Sequence, residues 1–134
     1  MHNPFAPGDR KIYRRTVTQA DAAAFESGQV HPFYSTFALA RDAEWACRLF
    51  VLEMKEDHEE GIGTFLSVHH VSPAAVGEEV TITAVIEAVR GHRVLCRYEV
   101  RVGRRLVAYG RQEQRIIPRE KVKAMTRKLQ TADG

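Results

Sequence analysis

An acid on an apolar helix stripe is physically unfavourable, and this sequence has one. In TFALARDAEWACRLFVLEM, residues 36–54, Phe37, Ala40, Glu44, Cys47, Val51 and Met54 recur at steps of three and four and share one helical face. A carboxylate buried there must be hydrogen-bonded or held protonated, and either state suits general acid or base work. The plain alternative is an acid at the stripe's edge that reaches water. A second candidate is His70, in the doublet His69-His70 of GIGTFLSVHHVS. On a strand, successive side chains point to opposite faces, so the doublet is no metal pair, and no metal site is expected. Leu66, Val68 and His70 form the more aliphatic set, which predicts that His70 points inward, as a core histidine or a general base. Thr36 lies eight residues before Glu44, about 12 Å along a helix axis, too far for the two side chains to touch. It can cap the helix or line a cavity that both residues face. Gly61 and Gly63 open the strand bearing His70, either as a turn or to leave a backbone N–H free for an oxyanion.

Several elements must position these groups. KIYRRTVT, Lys11 to Thr18, predicts a strand. Thr18 to Asp21 carries a capping signal, and ADAAAFES predicts a short helix ending at Gly28. GQVHPFYS reads as a loop, with His31 pushed toward extended geometry by Pro32. The long helix starts at 36, capped by Ser35 or Thr36, with Arg41, Arg48 and Lys55 as a polar stripe. Trp45, Leu49, Phe50 and Leu52 widen its apolar sector, which predicts cover on most sides. Four β-rich segments follow: Gly61 to Ser72, Glu78 to Arg90, His92 to Val102 and Arg105 to Ile117. This order predicts an α+β domain of hot-dog architecture, a five-stranded antiparallel sheet wrapped around one long central helix. A roll with the helix on one face would leave Trp45 or Leu49 uncovered. Residues 1–134 are expected to form one domain, with 118–134 as a peripheral C-terminal tail, and edge pairing predicts a homodimer.

Composition narrows the classes. The chain is 44% hydrophobic and 28% charged, ordinary for a globular domain. No run approaches the roughly 18 apolar residues of a membrane span, and no apolar stretch at the N-terminus suits a secretory signal, so a cytoplasmic protein without membrane contact is expected. Cys47 and Cys96 read as small buried hydrophobes. The net charge of +3 hides an asymmetry: Arg90 to Lys128 holds 13 bases against three acids, and residues 1–89 hold seven against 13. The basic half suits a polyanion such as a phosphorylated cofactor, or merely decorates a wet sheet face. Aromatic residues there are limited to Tyr98 and Tyr109, so no nucleic-acid partner is expected. No phosphate-binding loop, serine-hydrolase elbow or HExxH is present.

TFALARDAEWACRLF and GTFLSVHHVSPAAVGEEVTITAVI, with Thr36 eight before Glu44 and Gly63 seven before His70, resemble the fluoroacetyl-CoA thioesterase family of hot-dog enzymes. The resemblance covers roughly residues 8 to 125. It implies hydrolysis of a short or medium acyl-CoA thioester at a site by a dimer interface, with no cofactor, because CoA is part of the substrate. It further implies that Thr36, Glu44 and His70 are catalytic and that the Gly63 backbone N–H meets the thioester carbonyl. Where the fluoroacetate-specific member has lid phenylalanines this chain has Ser27 and Val30, while Phe33 and Tyr34 stand closer to Thr36 as substrate-binding residues. Gln114 stands where the family has an arginine, with Arg115 one step along, so fluoroacetyl selectivity is not expected. The competing expectation is a non-catalytic acyl-CoA-binding hot-dog protein.

Overall fold

The computed structural model describes residues 1–25 and 28–132. Strand β1 (Arg10–Thr16) opens the main sheet. A 3-10 turn (Gln19–Asp21) leads into strands β2 (Ala22–Phe25) and β3 (Gly28–Tyr34), which pair antiparallel as a separate hairpin. Helix α1 (Thr36–Met54) follows, then β4 (Glu59–Leu66), the short β5 (His69–His70), β6 (Glu79–Arg90), β7 (Arg93–Val102), β8 (Arg105–Pro118) and helix α2 (Arg119–Ala132). The sheet runs β1-β6-β7-β8-β4, antiparallel throughout, with β5 pairing further along β8. It curls around α1, whose Leu39, Ala43, Ala46, Phe50 and Met54 are buried against the inward faces of β6, β7 and β8. Burying one such large side chain stabilises the fold by about 1.5–3 kcal/mol.

Four local expectations are corrected. The helix expected before Gly28 is only the 3-10 turn and then strand β2. Alanines favour helix, but Asp21 is drawn into a cluster with Thr18, Arg15 and Arg41, and the chain beyond it pairs with 28–34, so tertiary contacts override propensity. The expected loop at 28–35 is mostly strand β3, with Gly28 at φ +112, a conformation natural to glycine. The single strand expected from Gly61 to Ser72 breaks at Ser67–Val68, where Gly110 makes room: a Cβ there would lie 2.0 Å from the Ser67 carbonyl oxygen. Finally, α1 is not covered on most sides. Its buried face keeps Cys47, Val51 and Met54 of the stripe read in sequence but leaves out Phe37, which is 81% exposed, and Glu44, with Trp45 and Leu52 also exposed. Helix α2 is peripheral and largely exposed.

Candidate active site

The start of α1 is held in place by its caps. Ser35, not Thr36, is the N-cap: its hydroxyl accepts from Ala38 N at 3.0 Å, leaving the Thr36 hydroxyl free for another partner. The backbone before it is tied to the loop after β5 by the Phe33–Ala75 bridge and by Tyr34 N donating to Ala74 O at 2.8 Å. This brings two elements 34 residues apart together, and Thr36 Oγ1 lies 2.9 Å from His70 Nδ1. His70 is half-buried on the inward side, whereas His69 stacks on Tyr109 on the other face at 4.9 Å between ring centroids. Among the described residues His70 Nε2 is buried without a hydrogen-bond partner. Burial, together with the nearby His31 imidazole, holds the His70 pKa below the ordinary 6.5, with the Ser72 backbone pulling weakly the other way. The ring is therefore neutral at neutral pH and can accept a proton.

A cavity of about 250 Å³ opens beside this pair, walled by His31, Phe33, Tyr34, Val71 and Pro73. Tyr34 contributes ring surface only, because its hydroxyl points away to donate to Asp42, and burial with that carboxylate pushes its pKa up strongly. Val30 is exposed, and Ser27 lies outside the described residues. A larger cavity of about 740 Å³ lies on the outer side of the sheet, where His69, Tyr109, Arg97 and Arg111 line it.

Glu44 stands apart from that pair. It is exposed on the flank of α1, and among the described residues no hydrogen bond or ion pair joins it to Thr36 or His70. Its carboxylate is nonetheless placed: Oε1 accepts from Gln112 Nε2 at 3.3 Å and sits over Gly63, where a Cβ would lie 2.1 Å from it. Gly63 lacks a side chain at the point where Glu44 needs the space. The buried acid of α1 is instead Asp42, 3% exposed, which accepts from Arg15 at 3.1 Å and Arg41 at 3.2 Å as well as from Tyr34. Sequence reading passed over Asp42, His31 and Gln112. The signal for Gln112 was present, since Gln112, Gln114 and Ile116 alternate on one strand face and glutamine is out of place on an inward one. Among the described residues no cluster of three metal-ligating side chains occurs.

A sheet curled around one long helix, with a hydroxyl and an imidazole in contact at the helix start, belongs to the hot-dog class. A hot-dog-like protein from Thermanaerovibrio acidaminovorans has the same fold at TM-score 0.83 and 21% identity, covering 92% of each chain. A thioesterase-superfamily protein of Thermus thermophilus superposes at TM-score 0.91, with 34% identity over 96% of each chain. The model of the fluoroacetyl-CoA-specific thioesterase family matches residues 17–120. Fluoroacetyl-CoA thioesterase of Streptantibioticus cattleyicolor is 32% identical over 113 residues, 84% of this chain and 81% of that protein. The chain belongs to this thioesterase family.

Proposed function

We propose that this protein hydrolyses a short or medium acyl-CoA thioester to the free acid and CoA, working as a homodimer in the cytoplasm. Thr36, Glu44 and His70 are its catalytic residues, and Gly63, Phe33 and Tyr34 bound the substrate. The observation that carries this reading is the 2.9 Å contact between Thr36 Oγ1 and His70 Nδ1 at the mouth of a small cavity. Neutral His70 takes a proton at the Thr36 hydroxyl as attack on the thioester carbon begins, and the Gly63 N–H meets the carbonyl oxygen as it becomes anionic. The carbon–sulfur bond breaks as the proton held by His70 passes to sulfur, so CoA leaves as the thiol and the acyl group is left esterified to Thr36 Oγ1. Water then gives a proton to His70 and attacks that ester, whose cleavage releases the acid and returns the proton to the Thr36 hydroxyl. CoA is part of the substrate, so this scheme uses no further cofactor. Structures of the related fluoroacetyl-CoA thioesterase hold acetyl-CoA, or fluoroacetate and CoA, which supports the substrate class. An exposed valine at position 30 argues against fluoroacetyl selectivity.

The separation of Glu44 from the Thr36–His70 pair in the single chain favours one competing reading, a non-catalytic acyl-CoA-binding protein. Thiol release from acetyl-, fluoroacetyl-, butyryl- and octanoyl-CoA separates the two. Turnover of at least one of these is expected, falling by roughly 100-fold or more in Thr36→Ala, His70→Ala and Glu44→Gln. Binding of all four without any turnover would establish the competing reading.

A further inference from the structure

We infer that Gln112, fixed in turn by Gln114, is a positioning residue for Glu44. This rests on the proposal that Glu44 takes part in catalysis. Both glutamines point inward from β8, at 2% and 1% exposure, in a region otherwise filled by apolar side chains. A buried amide is tolerated only when its donors and acceptor are matched, and here they are. Gln112 Nε2 donates to Glu44 Oε1 at 3.3 Å and to the Glu113 carbonyl at 3.2 Å, and Gln112 Oε1 accepts from Gln114 Nε2 at 3.1 Å. Turning the amide over would set its oxygen against two other oxygens and its NH2 against another NH2. The network therefore permits one orientation, the one that presents a donor to Glu44.

The other side of the carboxylate is bounded by Gly63, whose missing Cβ leaves the notch that Oε1 fills. Glu44 is thus an exposed acid held from beneath by a buried amide chain, whereas the other exposed glutamate of α1, Glu53, is held by a lysine, Lys11. With Oε1 engaged by the amide, Oε2 is left to face a substrate or a water. A carboxylate confined to one rotamer keeps its reactive oxygen at a fixed place, and small misplacements cost large factors in rate.

The test is a double-mutant cycle on the full-length protein, using whichever of the four acyl-CoA esters is turned over fastest. Gln112→Leu should lower kcat roughly 10-fold or more with KM little changed, and Gln114→Leu should lower it less, because the direct bond remains. Gln112→Asn, one methylene short of the carboxylate, should not restore the rate. In the Glu44→Gln background, Gln112→Leu should change the residual rate by no more than about 2-fold. A full loss in that background, or wild-type kcat in Gln112→Leu, overturns the inference. Wild-type turnover in Glu44→Gln alone overturns instead the catalytic reading of Glu44. Should Gln112→Leu fail to fold, a crystal structure of Gln112→Asn decides: the Glu44 carboxylate displaced from above Gly63 supports the positioning role, and an unmoved carboxylate refutes it.

Discussion

The Thr36 hydroxyl had two possible uses in the sequence, a helix cap or a cavity wall, and Ser35 resolves the competition by taking the cap. A free hydroxyl one residue into the helix then meets His70. The pKa of His70 is depressed first by burial and second by His31, so the ring loses its proton at a pH below the ordinary 6.5 and is neutral at neutral pH. If it serves as base, kcat/KM should be level around neutral pH and fall on acidification with a midpoint below 6.5. Removing His31 removes a repulsive charge, which raises the His70 pKa toward 6.5. In His31→Ala the falling limb should therefore move to higher pH, and a limb that stayed put or moved lower would refute the coupling.

The 3-10 turn that leads into the β2–β3 hairpin is tied to α1 and β1 by charge. Asp42 of α1, Asp21 of the 3-10 turn, Arg15 of β1 and Arg41 of α1 form one ion cluster that also takes the Tyr34 hydroxyl. Burial alone would raise the Asp21 pKa, but donation from Thr18 and Arg41 and the charge of Arg15 outweigh it and leave it lowered. Its contribution to stability is therefore present above the ordinary carboxylate value of 3.8 and is lost as pH falls through the lower folded-state value. Breaking such a cluster from one side leaves the remaining charges uncompensated. Asp42→Ala should cost about 3 kcal/mol in urea unfolding, tempered because Arg41 is largely exposed. A loss below about 1 kcal/mol would mean that water replaces the carboxylate. This cluster could not be read from sequence, because its members come from three separate elements up to 27 residues apart and a buried aspartate looks like any other acid in a helix.

At the scale of the molecule, the described residues present a sheet edge and an apolar flank of α1 to solvent. Strand β4 is an edge of the sheet with Phe65 exposed, and α1 presents Phe37, Trp45 and Leu52 to solvent. An unpaired edge and exposed aromatics are features that a second copy would cover. If the proposed homodimer uses them, Phe65→Lys with Trp45→Glu should shift sedimentation from dimer to monomer, with the circular dichroism spectrum unchanged. A dimer that survives both substitutions would place the interface elsewhere. Among the described residues no helix is long and apolar enough to cross a membrane.

The hot-dog fold was legible in sequence because it depends on repeating features: strand alternation in β6, β7 and β8, glycines at their reversals, and one long helix with a wide apolar sector. The inward direction of His70 was legible for the same reason, since strand parity fixes it. What the sequence could not determine was which flank of α1 the sheet would cover. A helix with apolar residues on most of its circumference leaves that rotation to the packing of β6, β7 and β8. The packing buried Asp42 and left Glu44 at the edge. The acid that looked misplaced on an apolar stripe is the exposed one, and its fixed position comes from partners 19 and 68 residues away, Gly63 and Gln112. Contacts at such distances along the chain are set by strand register and by the curl of the sheet, neither of which local periodicity encodes.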